Sequence, residues 1–336
     1  MNSKIEAIDY FLPEKTLYIN DLAIENPDWE MDRIVDKAGV VKVHIAESDT
    51  TALDLGYQAV KRLFGQDGSI EERVDGIIFC TQSADYIMPP NSCVLHGKLG
   101  LREDIFAVDI NHACSGFVYG LSIANGLISS GALKNILLVT ADTYSKYIHK
   151  QDRSARSLFG DGAAATLISA TTEEKGLLDS SCATFGKGFD AFIVEAGGSR
   201  LPISSETKLE IVDDNDNVRT PEHLHMEGRS ILGFVNTRIP KQVKGLLQSN
   251  NLIVDDVDLF VFHQASKMAL DSLGRLLKIP QEKNFRYFES IGNTVSSSIP
   301  IALCEAIKSR KIEAGNTVLI CGFGVGLSYG SSLLKF

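Results

Sequence analysis

The sequence predicts an α/β protein built from two copies of one strand-helix unit, stacked as a five-layered α/β/α/β/α sandwich. Three observations lead there. Two short blocks recur in the same order about 180 residues apart: Val74-Asp-Gly-Ile-Ile-Phe-Cys-Thr-Gln82 returns as Val257-Asp-Leu-Phe-Val-Phe-His-Gln264, and Asn135-Ile-Leu-Leu-Val139 returns as Asn316-Thr-Val-Leu-Ile320. Between them, Phe106 to Ser130 and Phe288 to Ser309 each read as a strand, a tight turn and a helix whose first turns carry no charge. Short β-branched runs alternating with helical runs predict mixed, largely parallel sheets covered by helices.

In chain order, residues 1–175 form the first half and 176–336 the second. Ser204 to Thr220, with Ser-Ser-Glu-Thr-Lys and Asp-Asp-Asn-Asp-Asn, is an excursion between elements. In the first half, Ile105-Phe-Ala-Val108 is an apolar strand that stops at a small-residue turn. From Ile110 to Leu133 there is no Asp, Glu, Lys or Arg, and Phe117, Leu121, Ala124, Leu127 and Ile128 are spaced for a helix buried on several faces. That stretch has membrane-spanning length, yet Asn111, His112, Asn125, several serines and four glycines make it a core helix. In the second half, strand Asp258-Leu-Phe-Val-Phe262 ends at His263-Gln-Ala-Ser, and strand Phe285-Arg-Tyr-Phe288 leads to Gly292-Asn293-Thr-Val-Ser-Ser-Ser.

Composition narrows the function classes. The chain has 336 residues, 44% of them hydrophobic and 23% charged, as in ordinary globular proteins. A net charge of -10 argues against a nucleic-acid surface. Six cysteines with no CxxC spacing, and no basic-then-apolar leader at Met1-Asn-Ser-Lys, argue for a reducing, cytoplasmic setting. No metal-binding pattern stands out; His223 and His225 sit in a polar stretch and read as loop residues. The turn Phe159-Gly-Asp-Gly162 lacks a following Lys-Ser/Thr and reads as structural.

Cys114 is placed where a reactive thiol would be built, at the first turn of the uncharged helix. Backbone N–H groups and the helix dipole there favour an anion, so a lowered thiol pKa and a nucleophilic thiolate are expected. Free cysteine is also among the most buried residue types. Cys80, Cys93, Cys182, Cys304 and Cys321 are read as such small buried hydrophobes, and position alone leaves Cys114 open between the two roles. The duplication adds weight: it places His263 opposite the loop of Thr81, and pairs Asn293 with His112 beside Cys114. In an α/β protein the carboxyl ends of the strands face the ligand, so both halves aim these side chains at one cleft.

The set Cys114, His263, Asn293, in this order, resembles the β-ketoacyl-ACP synthase III family of the thiolase superfamily. The resemblance covers nearly the whole chain: Phe11-Leu-Pro, Lys37-Ala-Gly-Val with His44-Ile-Ala, Ala113-Cys-Ser-Gly-Phe, Phe159-Gly-Asp-Gly-Ala-Ala, His263-Gln-Ala-Ser, Gly292-Asn-Thr and Gly322-Phe-Gly-Val-Gly. It implies the thiolase fold and an acyltransferase that loads an acyl group from a CoA or acyl-carrier-protein (ACP) thioester onto Cys114. Decarboxylative Claisen condensation with a malonyl thioester then gives a 3-oxoacyl product. His263 and Asn293 would hydrogen-bond the enolate, and the backbone N–H groups of Cys114 and of the Gly322–Gly326 loop, at Val325, would hold the acyl oxyanion. The resemblance also implies no cofactor, a cytoplasmic homodimer whose loop Ser83-Ala-Asp-Tyr-Ile-Met88 reaches the partner's acyl pocket, and a place in fatty-acid or secondary-metabolite synthesis.

The chain departs from the family where the carrier binds. The expected Trp is Arg33, with Trp29 a helical turn earlier, and the Arg-Thr-Gly motif is Lys37-Ala-Gly. The Arg after the His-Gln-Ala-Asn motif is replaced as well, leaving Lys267 nearby. Arg33, Lys37, Arg153 and Lys267 are therefore the candidate phosphate contacts, with Met88 and Phe323 lining the acyl site. These changes point to a specialised relative of the housekeeping enzyme. Two alternatives remain: an acyltransferase that passes the acyl group from Cys114 to a hydroxyl or amine, and a non-catalytic dimer subunit.

Overall fold

The computed structural model describes residues 2–29, 31–213 and 216–336; the side chain of Arg33 lies outside the description. Nine strands form two main sheets. The first contains β1 (Asn2–Phe11), β2 (Gly76–Cys80), β3 (Phe106–Ile110), β4 (Asn135–Asp142) and β5 (Gly162–Thr171). The second contains β6 (Gly176–Thr184), β7 (Leu259–Phe262), β8 (Thr317–Gly324) and β9 (Ser328–Lys335). The strand orders are β1-β5-β4-β2-β3 and β7-β8-β9-β6. In each sheet the block that repeats in sequence forms the parallel pair, β2 with β4 and β7 with β8.

Seven helices cover the sheets: α1 (Met31–Ala38), α2 (Ala52–Gln66), α3 (Asn91–Leu99), α4 (Gly116–Ser129), α5 (Gly228–Ser249), α6 (Lys267–Leu277) and α7 (Ser298–Lys308). Strand side chains alternate between faces, and this sorts the core into layers. Ile77, Phe79, Leu137 and Val139 pack outward on α2 and α3. Ile78, Ile136 and Leu138 face inward on α4 and α7, which also receive Leu259, Val261, Val318 and Ile320 of the second sheet. Phe260, Phe262 and Leu319 face the other way, onto α5 and α6. The result is five layers with α4 and α7 as the shared middle one. The middle layer explains the missing charge: α4 is covered by a sheet on each side, so an ionised group there would lose its water with no partner. Close approach is bought with glycine, since a β-carbon at Gly120 would lie 2.6 Å from Leu138 and one at Gly330 would lie 2.9 Å from Val118.

Two expectations need correction. Phe285–Phe288 is not a strand; it makes a single parallel bridge, Phe260 with Asn284, and Phe285 N–H donates to Phe260 O at 3.0 Å. The Gln264 side chain takes over from the absent ladder. Its amide donates to Phe262 O at 2.7 Å and its carbonyl accepts from Tyr287 N–H at 2.7 Å, so a buried side chain stitches the segment to β7. Cys93 and Cys182 are exposed rather than core residues. On α3 it is Asn91, Ser92 and Leu95 that face inward, which leaves Cys93 on the outer side. The other three, Cys80, Cys304 and Cys321, are buried.

The 204–220 excursion contains a short helical turn, Glu206–Lys208, and a two-stranded ribbon of Ile211–Val212 with Val218–Arg219. Asp214 and Asn215 of the excursion lie outside the described residues.

Candidate active site

Cys114 sits in the turn between β3 and α4, two residues before the helix begins, and is 2% exposed. Its sulfur rests against the β8–β9 hairpin. A β-carbon at Gly324 would lie 2.9 Å from both Cβ and Sγ of Cys114, so only glycine leaves room for the thiol. The backbone N–H groups of Cys114 and Val325 favour the thiolate form of the sulfur.

The thiol's proton affinity is the reverse of what position in the chain suggests. Burial pushes the Cys114 pKa well above the usual thiol value, and the nearby Asp142 carboxylate pushes it further, while the two N–H groups act against them. Desolvation of a thiolate between two sheets outweighs a helix end that begins only at Gly116.

Asp142 is a component of the site that sequence reading missed. It closes β4, is fully buried, and burial raises its pKa to about 7. Ser296 Oγ donates to it at 2.5 Å, Gln82 N–H at 2.8 Å and Thr81 Oγ at 3.3 Å. A lone acid ending an eight-residue strand with an apolar middle, Ile136-Leu-Leu-Val139, was the available signal.

His263 follows β7, is 1% exposed, and its pKa falls to about 3 because burial penalises the imidazolium. It is therefore neutral across the physiological range. Its N–H donates to Cys321 O at 2.8 Å, its Nδ1 lies 2.6 Å from Ser298 Oγ, and Phe323 packs edge-on to its ring at 5.5 Å between centroids. Phe323, expected to line the acyl site, is 2% exposed and braces the imidazole.

Asn293 is held by its backbone and its side chain. Its N–H donates to Leu158 O at 2.8 Å and its carbonyl accepts from Gly160 N–H at 3.0 Å, so the Phe159-Gly-Asp-Gly turn clamps it. Glycine is required at both contacts: β-carbons at Gly160 and Gly292 would lie 2.6 Å from Ile291 O and 2.7 Å from Leu158 O. Val295 N–H donates to Asn293 Oδ1 at 2.9 Å, which turns the amide NH2 outward as a donor.

The carrier candidates are less closely grouped. Lys37 is exposed in the last turn of α1, and Lys267 Nζ lies 3.3 Å from Asp36 Oδ1, so Lys267 is an ion-pair partner rather than a lone cation. Ser266, at the position of the family's Asn, caps α6 by accepting from Ala269 N–H at 3.2 Å. Arg153 opens a one-turn helix, Arg153–Arg156, and is half-buried. Trp29 packs partly buried against the core. Met88 is 79% exposed and stands outside the cluster around Cys114. Among the described residues there is no group of three or more metal-ligating side chains, and no helix is long and apolar enough to cross a membrane.

Comparison with known proteins matches this fold along the whole chain. Residues 108–186 match the family described as 3-oxoacyl-[acyl-carrier-protein (ACP)] synthase III, and residues 247–336 match its C-terminal part. A β-ketoacyl-[acyl-carrier-protein] synthase III from Campylobacter curvus is 36% identical over 100% of this chain and 97% of its own length. A crystal structure of a 3-oxoacyl-(acyl-carrier-protein) synthase III is 40% identical, superposes with a TM-score of 0.97 and covers 100% of both chains. The 3-oxoacyl-(acyl-carrier protein) synthase from Burkholderia xenovorans is 30% identical, with a TM-score of 0.92 over 99% of this chain and 94% of that one. The buried Cys114, His263 and Asn293 thus lie on a fold and sequence shared end to end with these enzymes, and the chain belongs to the 3-oxoacyl-[acyl-carrier-protein] synthase III family.

Proposed function

We propose that this enzyme condenses an acyl thioester with a malonyl thioester through Cys114, His263 and Asn293. In the first half-reaction Cys114 Sγ attacks the acyl carbonyl, and the N–H groups of Cys114 and Val325 hold the oxyanion. The carrier thiolate leaves and takes up the proton that Cys114 gives up. In the second, the malonyl group loses carbon dioxide, and its thioester carbonyl becomes an enolate hydrogen-bonded by His263 Nε2–H and the Asn293 NH2. The enolate carbon attacks the acyl-cysteine, the Cys114 thiolate departs, and a 3-oxoacyl thioester forms.

The observation that carries this reading is the pair of neutral donors. Asn293 Oδ1 is occupied by Val295 N–H, so the side chain presents NH2, and His263 is too weakly basic to arrive protonated. Donors suit a developing enolate; deprotonating a hydroxyl or amine acceptor would call for a base instead. Incubation with a panel of acyl-CoA and acyl-ACP donors, with and without malonyl-ACP, tests it by intact-protein mass spectrometry and product analysis. An acyl adduct on Cys114 and a malonyl-dependent 3-oxoacyl product are expected. Product formed without a malonyl donor overturns the reading in favour of acyl transfer to oxygen or nitrogen.

We further infer an acyl carrier protein as the preferred carrier, with Arg33, Lys37, Arg153 and Lys267 as its phosphate contacts. With Arg33 at the place of the stacking Trp, kcat/KM is expected to favour acyl-ACP over the same acyl-CoA. The homodimer is supported by β3, which ends its sheet with one side unpaired, and by the apolar loop of Tyr86, Ile87 and Met88, exposed by 57%, 98% and 79%. Sedimentation as a monomer at micromolar concentration would remove it.

A further inference from the structure

We propose that Ser298 is a positioning residue which holds His263 in the tautomer that carries its proton on Nε2. Ser298 opens α7, is fully buried, and its Oγ lies 2.6 Å from His263 Nδ1. Two arrangements satisfy that distance: the imidazole donates from Nδ1, or the hydroxyl donates to it. The second contact of the hydroxyl decides between them. Gln264 N–H donates to Ser298 Oγ at 3.3 Å, and an N–H can only donate. If Nδ1 also donated, the hydroxyl would accept twice, and its own proton would be buried with no acceptor recorded among the described residues. An orphaned buried donor of this kind costs about 1–3 kcal/mol. Donation from Ser298 to Nδ1 satisfies all three groups and leaves the ring proton on Nε2.

The inference rests on the condensing reading, in which Nε2–H must be a donor to the enolate. It also accounts for the local sequence. In Ser296-Ser297-Ser298 each hydroxyl has its own buried partner: Asp142, the carbonyls of Thr140 and Gly162, and His263.

Two measurements test it. Nitrogen-15 NMR of histidine-labelled enzyme, with the His263 signals assigned by their loss in His263→Gln, reads the tautomer directly and needs no Ser298 variant to fold. Nε2–H is expected, and a proton on Nδ1 overturns the proposal together with the role of His263 as an enolate donor, while malonyl-dependent product formation still reads the condensation itself. In Ser298→Ala, Cys114 acylation should stay near wild type while malonyl decarboxylation falls about 10- to 100-fold, the usual effect of losing an orienting partner. Ser298→Thr, which keeps the hydroxyl, should recover part of that loss. Acylation and decarboxylation falling together would assign Ser298 a structural role only and overturn the proposal. Absence of malonyl decarboxylation in the wild-type enzyme would instead count against the condensing reading.

Discussion

The two halves share a strand order and differ where each meets the cleft. The turn that carries Cys114 precedes α4 and the turn that carries Asn293 precedes α7. Asp75 N–H on Asn135 O matches Asp258 N–H on Thr317 O, and the offset of 182 from Asn135 to Thr317 sets Asp142 against Gly324. The first half supplies Cys114, the proposed nucleophile, and a buried acid; the second supplies His263 and Asn293, the proposed donors, and an aromatic brace. Val295, two residues after Asn293, adopts a φ of 53°, a strained conformation for a β-branched residue. It is held there while its N–H fixes the amide of Asn293. In the proposed reaction the turn before α4 presents a side chain for attack and the turn before α7 aims a donor. The edges differ too, because β3 is a complete ladder and its counterpart at 284–288 is one bridge reinforced by Gln264.

The largest effect should come from removing the proposed nucleophile. Cys114→Ala should abolish the acyl adduct and all condensation while leaving slow malonyl decarboxylation, since the second half's donors remain. An adduct persisting on a peptide that contains Cys93, Cys182 or another cysteine would break the division of labour between halves.

Asn293→Ala is the complementary change. It should leave Cys114 acylation intact and slow decarboxylation by about 100- to 1000-fold, or about 2.7–4 kcal/mol, the effect of losing one oxyanion donor. Full condensation activity in this variant would end the enolate assignment.

Gly324→Ala probes the contact between the halves. The new β-carbon would stand 2.9 Å from Cys114 Sγ, and crowding of this kind destabilises by about 1–3 kcal/mol. Acylation should slow more than decarboxylation, and thermal unfolding should register the strain. Equal slowing of both half-reactions would mean that the hairpin serves the donors as well as the thiol.

Gln264 and Gln82 occupy the same place in the repeat. Gln264→Met should lower stability by about 1–3 kcal/mol, because Tyr287 N–H and Phe262 O lose a buried partner. Gln82→Met, in a half whose edge ladder is complete and at a partly exposed position, should lower it by about 0.5–1.5 kcal/mol. Equal losses on chemical denaturation would show that the missing ladder does not explain Gln264.

Asp142 gives the smallest effect, one of pH. Its pKa rises from the ordinary 3.8 to about 7 on folding, so the folded state favours the protonated form. That contribution is complete below about pH 4 and is lost as pH rises through 7. The stability of wild type relative to Asp142→Asn should therefore decline between those limits, a difference in which His263 cancels. Removing the negative charge should also let alkylation of Cys114 begin at lower pH. A flat difference would show that Asp142 is ionised throughout.

Much of this molecule is legible in its sequence. The repeat of Val74–Gln82 in Val257–Gln264 revealed the duplicated halves, and the uncharged run 110–133 marked a helix closed in on both sides. His263 could be picked out because it follows an apolar strand, where an α/β fold exposes its strand ends, and Cys114 because it opens an uncharged helix, whereas Asn293 came from the repeat and the family resemblance. Tertiary structure decided the chemistry of those groups. The thiol is harder to ionise than its place before a helix suggests, because desolvation between two sheets and the charge of Asp142 come from residues distant in the chain. The same holds for the direction of the Asn293 amide and the partner of His263 Nδ1, set by Val295 and Ser298, and for Phe285–Phe288, whose strand-like composition gave way to a side-chain stitch. Composition and spacing act between neighbours in the chain, so they determine which elements form and in what order. Proton affinity and hydrogen-bond direction depend on what fills the surrounding few ångströms, and only folding brings those atoms together.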